Sequence, residues 1–416
     1  MNVRLIVLIF ALINVNFVQS LRRRVVAARR GQVSNPDEKL TVPAIISRHG
    51  YICETHTVVS QGYMLQLHRI PHAKYDNAVP RKTALLQHGL FGNSAHWILN
   101  GPRNSLAYVL ADAGYDVWMA NIRGNRYSKG HAWLQKDSQQ YWDFSWHEIA
   151  IHDMPAILDY IKGVKSDSEI AYVGHSMGST ILFAMLSSRP EYNSYLESGV
   201  ALAPMAFIKD IESPIIWLSS TVETVAPVEM RHGRHEFRPA VSSYVSDFVE
   251  PCTPEHFRTS SCKDMLFSLC GANERQFNST LLPVFVNHLD MSTSWKTLQH
   301  FAQELDNEGE FQLFDYGSSN RRIYGTRKPP KYDLSKIKVP LALFWGMNDY
   351  VSVENDVQKL YDKLKTPSKM YAVSDPEFSH LDFLWAKDAD VLINNRVLVY
   401  LNDENKLDID VTSLEW

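Results

Sequence analysis

Gly174-His175-Ser176-Met177-Gly178 is the stretch around which the rest of the chain is organised. Before it lies Glu169-Ile170-Ala171-Tyr172-Val173, short, β-rich and mostly apolar; after it, Ser179 to Leu186 reads as a helix. Strand, sharp turn, helix is the setting in which a G-x-S-x-G motif carries chemistry. In such a turn the serine hydroxyl projects clear of the backbone. A Cβ at 174 or 178 would crowd strand against helix, which accounts for both glycines. The helix begins just after Ser176, so its free N–H groups point at the reacting centre. A glycine-bounded turn without chemistry is the bland alternative, and the flanking strand and helix weigh against it.

A serine nucleophile needs a base, and the base needs an acid to orient it. On a strand–elbow–helix scaffold they follow in the order Ser, Asp or Glu, His. Val339 to Trp345 reads as a buried strand running into Gly346-Met347-Asn348-Asp349, which places Asp349 on a loop. Lys369 to Val373 reads as the next strand, followed by a loop carrying His380. Ser176, Asp349 and His380 thus all fall beyond the C-terminal ends of strands, the edge where open α/β sheets place their sites. Asp356 lies inside a helical pattern, and Asp375 is in a loop. His288 and His300 precede the acid and break the order. Asp382, two residues past His380, reads as a loop or cap residue. Thr83 to Gln87 is an apolar strand entering His88-Gly89-Leu90-Phe91-Gly92. A backbone N–H from this loop, at Leu90, and the N–H of Met177 would form the oxyanion hole.

These residues resemble the animal acid lipase family, the gastric and lysosomal lipases. The resemblance runs from about Ile46 to about Leu401. It is carried by Gly62-Tyr63-Met64-Leu65-Gln66-Leu67-His68-Arg69-Ile70-Pro71, His88-Gly89-Leu90, Asn121-Ile122-Arg123-Gly124-Asn125, Gly174 to Gly178, Gly346 to Asp349 and His380-Leu381-Asp382-Phe383. It implies an α/β-hydrolase fold, with Ser176, Asp349 and His380 as the catalytic residues and Leu90 and Met177 as oxyanion positions. Many relatives carry glutamine where this chain has Met177; a backbone donor is indifferent to that change. The resemblance also implies a disulfide between Cys252 and Cys262, leaving Cys270 free and Cys53 unassigned. By count alone, four cysteines pair in three ways, and none shows a metal spacing.

Taken in order, Arg4 and the apolar run Leu5 to Ile13 read as a secretory signal peptide over residues 1–20. Residues 21–40 hold Arg22-Arg23-Arg24 and Arg29-Arg30 and read as a basic propeptide or disordered arm. No later stretch is long and apolar enough for a transmembrane segment. The composition, 45% apolar and 21% charged, is that of a globular chain rather than a disordered one. A net charge of −4 argues neither for nor against an anionic partner; no nucleic acid partner is expected, and oligomeric state is open. Asn278-Ser279-Thr280 is a glycosylation sequon.

From Ile52 onward strands alternate with helices, which predicts a mostly parallel sheet covered on both faces. His56 to Val59 and Met64 to His68 flank the turn Ser60-Gln61-Gly62. Ser105 to Ala113 reads as a helix, Tyr115 to Ala120 as a strand, Trp146 to Ile161 as a helix. On that last helix His147 and His152 are five apart rather than four, which argues against a shared metal. The βα rhythm breaks from about Pro204 to Lys331. The predicted organisation is a core over 41–203 and 332–416, with a cap or lid insertion over 204–331. The expected activity is hydrolysis of neutral-lipid esters at a lipid–water interface, in a secreted or lysosomal setting, with no metal or cofactor. A small-ester or thioester hydrolase and a non-catalytic lipid carrier are the alternatives.

Overall fold

A computed structural model of the 416-residue chain describes residues 35–75, 82–165, 169–238, 249–253, 256–290 and 292–403, without the side chains of 217–220. The signal peptide reading therefore lies outside the described residues. So does most of the basic arm, but its end belongs to the folded body. Asn35 caps a turn over Pro36–Lys39, and buried Asp37 accepts from Arg48 Nη1 at 2.8 Å and meets His49 Nε2 at 3.1 Å. A carboxylate with two such partners fixes the chain well before residue 41.

The strands are β1 Glu54–Ser60, β2 Tyr63–Ile70, β3 Lys82–Gln87, β4 Tyr115–Met119, β5 Gly130–His131, β6 Ile170–His175, β7 Leu196–Leu202, β8 Glu236–Phe237, β9 Thr293–Ser294, β10 Leu341–Trp345 and β11 Ser368–Ala372. Nine form one sheet in the order β1-β2-β4-β3-β6-β7-β10-β11, with β5 on β2. From β4 to β11 every pairing is parallel; β1, β2 and β5 pair antiparallel. The hairpin turn is Gln61-Gly62, both at positive φ, and Ser60 faces Tyr63. Such a two-residue turn matches the twist of the strands it joins.

The central strands are buried along their whole length, as strands covered on both faces are. Alternation then sorts their side chains into two cores. Leu86, Val117, Val173, Val200 and Phe344 face one; Leu85, Trp118, Tyr172, Ala201 and Leu343 face the other. The second is closed by helices Met154–Val164, Met177–Ser188 and Glu354–Lys363. The predicted Trp146–Ile161 helix contains a π-turn over Ile149–Asp153, where the buried Arg123–Asp153 pair docks.

The Pro204–Lys331 stretch does not pack as one unit. Helices Thr259–Cys270 and Leu282–His288 join the first core of the sheet. Helix Ile216–Arg231 and helix Trp295–Asp306 make a small core of their own, Val222, Val225 and Ala226 against Phe237, Trp295, Leu298 and Ala302. Phe311 and Tyr332 pack with Trp146 in the second core.

Candidate active site

β6 ends in His175, and Ser176 makes the turn at φ 54°, ψ −122°, with helix Met177–Ser188 starting at the next residue. Positive φ is unfavourable for a residue with a Cβ, and such strain concentrates at functional turns. The glycines follow from the crowding. A Cβ on Gly178 would lie 2.2 Å from the Gln87 carbonyl oxygen, and one on Gly174 would lie 2.6 Å from Gly178. Only glycine at both positions lets the elbow seat between β3 and its own helix.

Three residues far apart in sequence meet there. His380 Nε2 lies 2.9 Å from Ser176 Oγ. His380 Nδ1 lies 2.9 and 3.1 Å from the two oxygens of Asp349. All three are buried. Asp349 Oδ1 also accepts the N–H groups of Val351 and Ser352, each at 2.8 Å, so the carboxylate is oriented by its own loop. With its Nδ1 proton on Asp349, the imidazole presents a bare Nε2 to the serine hydroxyl. That arrangement is able to take a proton from Oγ and later return it.

The His380 loop is held from several sides. His175 Nε2 donates to the His380 carbonyl at 3.0 Å, and the His380 N–H donates to the Cys270 carbonyl at 3.1 Å. Asp382 accepts from the Ser379 N–H and hydroxyl, Asn273 Nδ2 and Trp385 Nε1. Its carboxyl fixes the loop rather than the imidazole. Burial raises the Asp382 pKa to about 6 despite those donors.

On the other side of the serine, Gly89 approaches so closely that a Cβ there would sit 3.0 Å from Ser176 Cβ. This places the Leu90 loop against Ser176. Met177 is the first residue of its helix, so its N–H has no partner within the helix and faces the elbow. Leu90 and Phe91 also pack against the small core of helices Ile216–Arg231 and Trp295–Asp306.

The remaining candidates separate from this cluster. Asp356 accepts the N–H groups of Lys209 and Asp210. Asp375 receives Arg275 and Asn273. His288 Nε2 meets the Asp37 carbonyl; His300 meets Ser145 and the Gln312 carbonyl. His147 Nδ1 lies 2.7 Å from the Tyr332 hydroxyl. Cys252 and Cys262 form a disulfide, while Cys53 and Cys270 are free. Asn278 is half-buried beside exposed Ser279 and Thr280.

Two contributions are not readable in the sequence. Met205 Sδ lies 3.3 Å from Ser176 Oγ. The only hint is that β7 neighbours β6, so the residues just past β7 must reach the elbow. The strap Cys270 to Gln276 reaches the histidine loop through backbone carbonyls and Asn273, contacts that leave no periodic trace.

The pattern of the alpha/beta hydrolase fold family matches residues 83–387, and that of the partial alpha/beta-hydrolase lipase region matches 42–101. Lipase 1 of Drosophila melanogaster is 38% identical over 373 residues, 88% of this chain and 80% of its own. The gastric triacylglycerol lipase of Homo sapiens is 34% identical over 379 residues, 89% of this chain and 93% of its own. The chain belongs to the animal acid lipase family. Its fold is shared more widely. A Saccharomyces cerevisiae monoglyceride lipase structure aligns over 91% of this acid lipase family chain and 100% of its own, with a TM-score of 0.51 at 13% identity. A putative lipase from Acinetobacter baumannii aligns over 89% and 97%, with a TM-score of 0.52 at 13% identity.

Proposed function

We propose that this carboxylic ester hydrolase is a secreted lipase acting on esters of neutral lipids, triglycerides and sterol esters among them. The 2.9 Å approach of His380 Nε2 to Ser176 Oγ carries the reading. Ser176 attacks the ester carbonyl as His380 takes its proton, and Asp349 steadies the imidazolium that forms. The N–H groups of Leu90 and Met177 hold the oxyanion. The tetrahedral intermediate collapses as His380 protonates the departing alcohol, leaving an acyl-Ser176 ester. Water, activated by the same histidine, then releases the fatty acid and frees the serine.

Lipid preference rests on the relatives' activities and on the apolar insertion. In this reading helix Ile216–Arg231 is the mobile lid, because its described apolar side chains pack into a small core of their own rather than into the sheet cores. Opening it exposes an apolar face. At a lipid surface that face is reburied, at ~25 cal/mol per Å², so the surface binds the open form better and shifts the population toward it. Secretion is supported by the Asn278 sequon and by the apolar run Leu5 to Ile13, whose sequence reads as a leader. Among the described residues no helix is long and apolar enough to cross a membrane.

The test is fatty-acid release from triglyceride and sterol-ester emulsions, at acid and neutral pH, beside a partly soluble short-chain ester. Activity per enzyme on the short ester should rise as it passes from monomer to emulsion. A variant lacking the lid helix should lose that rise and keep activity on dissolved ester. Smooth saturation through the solubility limit, with negligible release from long-chain emulsions, would instead identify a small-ester hydrolase.

A further inference from the structure

Among the described residues Ser176 Oγ has two side-chain neighbours within hydrogen-bonding distance, His380 Nε2 at 2.9 Å and Met205 Sδ at 3.3 Å. A thioether is a weak acceptor, so the serine hydroxyl donates to the histidine rather than to the sulfur. The position of the sulfur is not incidental, because the Met205 backbone is clamped. Its N–H donates to Ser179 Oγ at 3.0 Å, and its carbonyl accepts from Thr180 Oγ1 at 2.7 Å. Ser179 and Thr180 belong to the helix that the nucleophile elbow opens. One residue earlier, the Pro204 carbonyl accepts from Ser352 Oγ at 2.8 Å, and Ser352 lies on the loop of Asp349. Ala203 before it sits at φ 49° and donates to the Phe344 carbonyl. The segment thus ties the Ser176 turn to the Asp349 loop, and its backbone is held at three successive residues.

The chemistry of the tetrahedral intermediate assigns that side chain a place. Besides its bond to Oγ, the carbon carries an oxyanion, a leaving oxygen and an acyl chain. The oxyanion must face the N–H groups of Leu90 and Met177. The leaving oxygen must face His380 Nε2, which protonates it. That leaves the acyl chain, and Met205 Sδ, 3.3 Å from Oγ, is the apolar side chain recorded beside the carbon that Oγ attacks. We infer that Met205 is a specificity-determining residue of this enzyme, the wall against which the first carbons of the acyl chain lie. The inference rests on the catalytic roles proposed for Ser176 and His380. Methionine suits such a wall, since three rotatable bonds and a polarisable sulfur let it yield to chains of different shape. It is 8% exposed, at the boundary between the packed elbow and the substrate space. Because the acyl group stays on Ser176 after the alcohol departs, Met205 also bounds the acyl-enzyme during hydrolysis.

The experiment uses the full chain and dissolved p-nitrophenyl esters, which need no lipid surface. One series varies the acyl group, from butyrate to isobutyrate to pivalate, on a constant leaving group. A second varies the alcohol on constant butyrate. Met205→Ala should raise the pivalate-to-butyrate ratio of kcat/KM by about tenfold, the scale of a methyl-sized change in an apolar pocket. Met205→Phe should lower it, and Met205→Leu, of similar volume, should move it least. The alcohol series should keep its rank order in all three. Opposite shifts with Ala and Phe separate a wall from a folding defect, which would depress all esters together. Unchanged acyl ratios, or a shift confined to the alcohol series, would overturn the assignment. If the parent enzyme hydrolyses none of these esters, the catalytic reading fails instead, and the two failures are distinct.

Discussion

Two parts of the Pro204–Lys331 stretch meet the same active site and are built differently. The part around Thr259–Cys270 and Leu282–His288 shares the sheet's first core and bonds to the loops of Asp349 and His380 through Cys270, Ala272 and Asn273. Helix Ile216–Arg231 instead packs on helix Trp295–Asp306, and Leu90 and Phe91 of the loop beside Ser176 pack against the core they share. Helix Trp295–Asp306 is anchored in turn, by Lys296 to Asp143 and Glu148 and by His300 stacked 3.9 Å from Trp146. Insertion on the functional edge is therefore not the same as mobility. One part acts as a fixed strap for the histidine, and only the other is proposed to open.

The largest effect is expected where both parts converge. Ser176→Ala, His380→Ala and Asp349→Ala should each lower kcat by roughly 10⁴-fold, and pairs should cost little more than single changes, because the three act as a unit. Steady-state kinetics on a soluble ester reads this. Wild-type-like turnover in Asp349→Ala would shift the role of acid elsewhere.

The strap is tested at Gly271. It sits at φ 97°, and a Cβ there would lie 1.9 Å from the Asn348 carbonyl oxygen. Gly271→Ala should displace the Asp349 or His380 loop and lower kcat on soluble ester by roughly 10²-fold, the cost of about 1 Å of misplacement. A variant that melts like the parent and turns over normally would remove the strap from the account.

The disulfide lies on the strap side. Cys252 and Cys262 are 10 residues apart, and opening that loop should cost roughly 2–3 kcal/mol. Cys252→Ser should therefore lower the thermal midpoint while leaving kcat on soluble ester nearly unchanged. The lid is tested at Val225, buried in the small core. Val225→Ala should loosen that helix by roughly 1 kcal/mol, raising the open fraction about fivefold. The step in activity between dissolved and emulsified ester should shrink, because the larger open fraction raises activity on dissolved ester while the emulsion already selects the open form. Equal loss on both would make this helix structural.

The smallest effect is electrostatic. Burial raises the Asp382 pKa to about 6, above the ordinary carboxylate range. The fold therefore favours its protonated form. That contribution is complete below about pH 4 and is lost as pH rises through about 6. Asp382→Asn should lower the melting temperature overall, since one amide oxygen replaces two carboxylate acceptors, but should flatten its fall between about pH 4 and pH 6. An unchanged slope would show that Asp382 is ionised throughout.

The same contrast explains what was legible in the chain. Leu341 to Trp345 and Ile170 to His175 are short apolar runs bounded by turn residues, and their burial on both faces is written into composition. The order of Ser176, Asp349 and His380 followed from strand ends. The division of the insertion did not, because it depends on whether Val222 meets Trp295 or the sheet, a contact between residues far apart. Nor did the π-turn at Ile149–Asp153, or the Arg123–Asp153 pair that accompanies it. Met205 was invisible for the same reason: its role comes from β7 lying beside β6, not from any motif around it.

The central claim is that Ser176 forms the acyl-enzyme with His380 as its base. The most direct test is rapid acid quenching during turnover of p-nitrophenyl butyrate, followed by peptide mass mapping. One butyryl group is expected, on the peptide containing Ser176, and none in His380→Ala. A butyryl group on another residue, or the same Ser176 adduct at the same rate without His380, would contradict it.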